Sequence, residues 1–383
     1  MSRYLKHLFL AALCWATALL GFNWQMDPYG IFHPDPWRAP ALRSERIFKT
    51  VYLATQPADT LLLGTSRVDL GFSREQLPQT HSLASFGQPI HETRRLVEQA
   101  LQHHTPKRLL IGLDFFAFNS QFPLPSDFTA QNFDSARPLH LAFSISTAVD
   151  AWHAWRNPGQ GDGCCYADGF RAQTPASVLN YPQAFRNNER SYLLEKYRPF
   201  PSCRFSYDYA QPREGRHSTL DELRTILQLA RHKGVEVTLF ITPSHARQWE
   251  VLSASGLWAE WEDWKRHLLD ITLAGGANMQ LWDFSGYSRI STEAVPPAGS
   301  PSRMQGYTDS AHFTPWVGEQ VLARLNGAIE PHDFGVKLNE GNLESHLAHL
   351  RHVHTLYRAT HPSDIDVIRA VAAEVDKIKP CPR

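Results

Sequence analysis

Ser66, Asp309 and His312 are residues whose types, taken together, could do nucleophilic chemistry. A serine hydroxyl is a weak nucleophile until a neighbouring base accepts its proton, and a neutral imidazole needs a partner to fix its tautomer. Ser66 stands in Leu61-Leu62-Leu63-Gly64-Thr65-Ser66-Arg67, where an apolar run stops at glycine and small polar residues. The pattern predicts a buried parallel strand breaking into a turn, with the hydroxyl at the strand's carboxyl end. Asp309 and His312 lie in Tyr307-Thr308-Asp309-Ser310-Ala311-His312-Phe313-Thr314-Pro315, just before a helical stretch. All three are therefore expected in loops that follow strands, where an open α/β sheet gathers its reactive groups.

The elements that must position them are legible as alternating patterns. Apolar runs predict strands over 61–63, 109–113, 235–242 and 279–284. Helical periodicity predicts helices over 90–103, 219–233 and 257–273, and from Pro315 to about residue 329. This alternation predicts an α/β protein, a three-layer α/β/α sandwich on a mostly parallel sheet, within a domain spanning 57–330. Residues 119–215 lose the rhythm and read as an irregular insertion, with an amphipathic segment near 139–155. Its glycine run, Gly159-Gln160-Gly161-Asp162-Gly163, lacks the Gly-Lys-Ser/Thr that a phosphate loop requires. Beyond residue 330 two polar, amphipathic helices are predicted over 338–357 and 362–378, as a carboxyl-terminal extension over 331–383.

The amino terminus carries a different signal. Arg3 and Lys6 precede an uncharged, mostly apolar stretch over 8–22, and extending it to 5–24 reaches the roughly 20 residues a membrane span needs if Lys6 snorkels. An uncleaved anchor over 1–24 followed by a proline-rich stalk over 25–56 is expected, with the bulk of the chain facing away from the cytoplasm. The alternative is a cleaved signal peptide, but Ala16-Thr17-Ala18 lies inside the apolar run rather than after it. Lys plus Arg and Asp plus Glu number 38 each, a balance that gives nucleic acid no reason to bind. Apart from Cys14 in the apolar stretch, Cys164, Cys165, Cys203 and Cys381 form an even set, consistent with an oxidising compartment. Of the three possible pairings the adjacent Cys164–Cys165 bridge is strained. Cys203 is expected to pair with Cys164 or Cys165, the alternative being free buried thiols. No Cys-x-x-Cys motif supports zinc, and His346, His349, His352 and His354 read as a solvated helix face, so neither metal nor cofactor is expected.

Gly64-Thr65-Ser66, Ser82-Leu83-Ala84-Ser85-Phe86-Gly87 and Asp309-Ser310-Ala311-His312 resemble, in order, the first, second and last blocks of the SGNH (GDSL-like) hydrolase superfamily. The resemblance implies Ser66 as nucleophile, His312 as base, Asp309 as its orienter, and an oxyanion hole from the backbone of Ser66 and Gly87. Thr65 replaces the usual aspartate of the first block. In the third block Leu113 falls where the superfamily carries an asparagine, and Asn119, six residues later, is a weak substitute. Losing one oxyanion donor costs on the order of 10²–10³ in rate. Arg67, Asp114 and His245 also sit at predicted strand ends and are candidate substrate-lining residues, against roles as an ion pair, a turn carboxylate and a structural histidine. The implied function is a membrane-anchored acyl-ester hydrolase or O-acyltransferase acting on envelope or exported polysaccharide. It would sit in a bacterial inner membrane with a periplasmic catalytic domain, with a membrane-bound O-acyltransferase as a possible partner. The alternative is a catalytically silent component of the same fold that binds or assembles envelope partners.

Overall fold

The computed structural model describes residues 2–33, 45–55, 57–134, 136–156, 165–166, 168–171, 178, 180–199 and 201–379. The chain divides into two compact units, Ala58–Pro125 with Pro175–Arg383, and Met1–Pro57 with Ser126–Thr174.

The larger unit is an α/β sandwich. Its strands are β1 (Thr60–Leu63), β2 (Thr80–Ser82), β3 (Arg108–Leu113), β4 (Asp208–Arg213), β5 (Arg216–Ser218), β6 (Glu236–Ile241), β7 (Met279–Asp283) and β8 (Val336–Lys337). Six form one sheet in the order β2-β1-β3-β6-β7-β8, parallel except for β8, which runs antiparallel to β7. Leu61–Leu63, Leu109–Leu113 and Val237–Ile241 are buried without alternation, as strands covered on both faces must be. Helices Ile90–His103, Thr219–His232 and Trp258–Gly275 pack in sequence beside one another, and Pro315–Leu325 packs against the short helix Ser66–Gly71. Their placement follows local chemistry: Ser218 and Asp221 close a capping box at the start of Thr219–His232.

The predicted α/β alternation is present, with element ends shifted by a few residues. Residues 331–379 are not an appendage, because β8 completes the sheet and Leu338 N donates to Leu281 O at 2.9 Å. The predicted insertion over 119–215 is not one body. Ser126–Thr174 clusters with the amino-terminal segment, whereas Pro175 onward belongs to the larger unit and includes the β4–β5 hairpin.

In the smaller unit, helix Ser2–Met26 contains a 24-residue stretch, Arg3–Met26, long and apolar enough to cross a membrane. The proline-rich segment expected over 25–56 includes a helix, Glu45–Thr55. The amphipathic segment near 139–155 forms two helices, Arg137–Ala142 and Ile145–Arg156. Cys165 and Cys203 are both disulfide-bonded, while Cys164 and Cys381 lie outside the described residues.

Candidate active site

The three residues singled out at the start converge although 246 residues separate Ser66 from His312. β1 ends at Leu63, and Gly64 turns the chain at φ +146°, a region that favours glycine. A Cβ there would meet Val68 Cγ2 at 2.5 Å and Gly112 O at 3.0 Å, so the turn can be this tight only without a side chain. Thr65 then caps the helix, its hydroxyl accepting from Arg67 N, and Ser66 becomes the first helical residue. His312 arrives from the other side of the sheet order. Tyr307 and Phe313 form an antiparallel bridge that pinches 308–312 into a loop before Pro315 starts the next helix. The two helices meet through glycines: a Cβ on Gly318 would fall 1.9 Å from Gly71 O. That contact holds the short helix that begins with Ser66 against the helix that follows the His312 loop.

Ser66 Oγ lies 2.9 Å from His312 Nε2, and His312 Nδ1 lies 2.7 Å from Asp309 Oδ2. A carboxylate only accepts, so Nδ1 carries the proton and Nε2 is free to accept from the serine hydroxyl. Asp309 Oδ1 accepts from Ala311 N at 2.8 Å and His312 N at 2.9 Å, which fixes the carboxylate in its own loop. Burial alone would raise the Asp309 pKa, but the His312 charge and these hydrogen bonds outweigh it and hold it below the usual carboxylate value. Ser66 is 4% exposed, and the His312 and Asp309 side chains are 13% and 18% exposed. The arrangement can take a proton from the serine and return it to a leaving group.

The Ser66 N–H opens a helix and makes no hydrogen bond to another described group, nor does the Gly87 N–H, with Gly87 at φ +59°. These are the two backbone donors expected of an oxyanion hole. Asn119 is not a third. Both of its amide hydrogens go to carbonyls, Tyr197 O at 3.2 Å and Arg204 O at 3.3 Å, and its Oδ1 accepts from Gln121 N and Ser206 N. It is a scaffold for the segment around 197–206.

Arg67, Asp114 and His245 are likewise turned inward rather than toward a ligand. Asp114 accepts from Arg67 Nη1 at 2.7 Å and from the hydroxyls of Thr65 and Thr242. Arg67 also donates to Tyr192 OH at 2.9 Å, and its guanidinium is held above the usual range by Asp114 although burial opposes this. Through Thr65 and Arg67, the residues on either side of Ser66, this network ties the ends of β1, β3 and β6 together. His245 is 1% exposed, its Nε2 donating to Glu293 O at 2.7 Å and its Nδ1 accepting from Arg247 N at 3.2 Å. Burial lowers its pKa to about 4. Its backbone N–H donates to Ser310 O at 3.1 Å, so it holds the His312 loop. Of the histidines in the carboxyl-terminal helix Leu343–Thr360, His346 Nε2 bonds Asp283 at 2.8 Å and His354 stacks on Trp258.

One residue near this network gave no sequence signal. Lys196 closes a π-helical turn, Tyr192–Lys196, and its Nζ sits over the rings of Tyr192 and Phe116, 4.2 Å and 5.0 Å from their centroids.

No family model matches the chain, and no curated protein matches it. A solved structure described as "a putative platelet activating factor from Streptococcus pneumonia" is similar at 11% identity, covering 76% of this chain and 92% of that chain, with a TM-score of 0.34. At that score the site rests on its own geometry.

Proposed function

We propose that the larger unit is a serine acyl-ester enzyme of the SGNH type, a hydrolase or O-acyltransferase. The observation that carries this reading is the hydrogen-bonded series Ser66–His312–Asp309, with distances of 2.9 Å and 2.7 Å. In it, Ser66 Oγ attacks the ester carbonyl carbon while His312 Nε2 takes the hydroxyl proton. The carbonyl π electrons move to oxygen, and the free N–H groups of Ser66 and Gly87 donate to that oxyanion. Collapse breaks the ester C–O bond, and His312 returns the proton to the departing alcohol. The acyl group, now on Ser66, passes by the same steps in reverse to water or to an acceptor hydroxyl. Asp309 stays ionised throughout and stabilises the transient imidazolium.

With helix Ser2–Met26 as an anchor, the enzyme would sit on the outer side of a bacterial inner membrane and act on envelope polysaccharide, with a membrane-bound O-acyltransferase as its partner. The commitment of Asn119 to the scaffold leaves two backbone donors, which supports modest turnover or transfer rather than fast hydrolysis. The test is acetate release from, or acetyl transfer to, an envelope polysaccharide by the full chain and by Ser66→Ala. Loss of the reaction in the variant supports the reading. Equal yields, or none from either, would replace it with a silent binding component.

A further inference from the structure

We propose that Lys196 receives a negatively charged group of the substrate, such as the carboxylate of an acidic sugar, beside the ester attacked by Ser66. The proposal deepens the reading of Ser66 as nucleophile and rests on it. Lys196 is half-buried and makes no ion pair or hydrogen bond to any described group. A series of contacts leads from it to the site on two sides. On one, Tyr192 accepts from Arg67, the neighbour of Ser66. On the other, Phe116 packs on Phe122 with ring centroids 5.3 Å apart, and Phe122 lies 3.6 Å from where a Cβ on Gly87 would be. The ammonium therefore stands on rings that lead to the neighbour of Ser66 on one side and to Gly87 on the other.

The π-helical turn brings it there, closed by Tyr197 N donating to Tyr192 O at 3.0 Å; such turns recur at functional sites because they re-aim one side chain. Burial, followed by the Arg67 charge, lowers the Lys196 pKa to about 8, with Asp114 and Asp309 compensating only in part. A cation held on ring faces with no ion pair among the described residues is prepared to gain from an arriving anion.

The test uses the full chain, Lys196→Met and Lys196→Arg. Calorimetry with glucuronate and glucose should show at least tenfold tighter binding of glucuronate to the wild type. That preference should vanish in Lys196→Met and be largely kept in Lys196→Arg. With acetylated glucuronate and acetylated glucose as substrates, Lys196→Met should abolish the preference through KM. No preference in the wild type, an unchanged preference in Lys196→Met, or an equal fall in kcat on both esters would overturn the proposal. Fluorophosphonate labelling of the wild type reports separately on Ser66, so failure of the nucleophile leaves the calorimetric result decisive.

In the smaller unit an independent set of contacts points to a lipid surface. We infer that helices Arg137–Ala142 and Ile145–Arg156 lie in the membrane interface beside the anchor helix. Ile145–Arg156 packs along Ser2–Met26. The Asn23 amide donates to Ala142 O and Ser144 O at 2.9 Å, and Tyr29 OH bonds Asp150. The face turned away from the anchor exposes Ile145, Val149 and Trp152 at helical spacing, continued by Trp155, with Leu139 and Phe143 from the preceding helix. Ile145 and Trp155 are 61% and 58% exposed, and the Trp152–Trp155 pair, with ring centroids 5.0 Å apart, suits the headgroup boundary. The occupant is the bilayer because these helices are held, by packing and by the Asn23 amide, to a helix long and apolar enough to cross one.

In nanodiscs containing a phospholipid with a diazirine on its acyl chain, photolabel should appear in peptides covering 139–156 as well as 3–26. Label confined to 3–26 would overturn the inference. Label in neither would overturn it together with the membrane span.

Discussion

Asp309→Asn would separate the catalytic role proposed for this carboxylate from its structural one. The asparagine Oδ1 can keep both backbone bonds, from Ala311 N and His312 N, so the 308–312 loop retains its shape. The amide NH₂ then faces His312 Nδ1, where Asp309 Oδ2 stood at 2.7 Å. Since NH₂ only donates, Nδ1 must become the acceptor and the ring proton moves to Nε2. Nε2–H cannot take the Ser66 proton across 2.9 Å, and no carboxylate remains to stabilise an imidazolium. A wrong tautomer of this kind costs on the order of 10⁴ in kcat, about 5.4 kcal/mol of transition-state stabilisation. The fold loses one charge-assisted hydrogen bond from a partly exposed pair, worth about 1–2 kcal/mol. For a unit of this size that is a fall of a few degrees in Tm. The assay is turnover of p-nitrophenyl acetate by matched preparations, with Tm recorded on the same samples. Turnover within tenfold of wild type, or a variant that unfolds outright, would refute the argument.

Three further outcomes follow from the same geometry. His245 has its folded pKa lowered to about 4 from 6.5, so the unfolded chain binds its proton first and stability falls as pH drops from about 6.5 toward 4. Urea unfolding should show a loss of about 2 kcal/mol between pH 7 and pH 5 from this group, and a shallower pH slope in His245→Gln; identical slopes would remove the attribution. Gly318→Ala places a methyl carbon 1.9 Å from Gly71 O and must push the helix bearing His312's loop off the helix bearing Ser66. A stability loss of about 3 kcal/mol with a larger loss of turnover is expected; wild-type Tm and turnover would show that the contact does not set the triad. Lys265→Met strands the buried Asp283, which accepts from Lys265 at 2.6 Å, and should cost about 3–5 kcal/mol in chemical denaturation; a neutral effect would mean His346 suffices.

The sheet was legible where strands are apolar throughout, since β1, β3 and β6 are buried on both faces and read as runs rather than alternations. β2 was not legible, because Thr80-His81-Ser82 is polar and is held by pairing with β1 alone. The β4–β5 hairpin left a usable signal in Glu214-Gly215, both at positive φ as a two-residue hairpin turn requires. Ser66, Asp309 and His312 could be found because strand-end glycine and pre-helix loops mark where such sheets gather side chains. Arg67, Asp114 and His245 were correctly placed at strand ends, yet sequence position cannot tell a side chain aimed at a ligand from one bonded beneath it. Asn119 failed as an oxyanion donor because its partners, 197 and 204, are distant in sequence. Lys196 had no signal because its place depends on a π-helical turn that no short pattern encodes.

The central claim is that Ser66 is the nucleophile. The most direct measurement is peptide mass mapping after treating the full chain with a neutral fluorophosphonate. A single adduct on Ser66 in the wild type, with none in Ser66→Ala or His312→Ala of unchanged Tm, is the predicted result. An adduct on another residue, equal labelling of the Ser66→Ala variant, or an unlabelled wild type would contradict it.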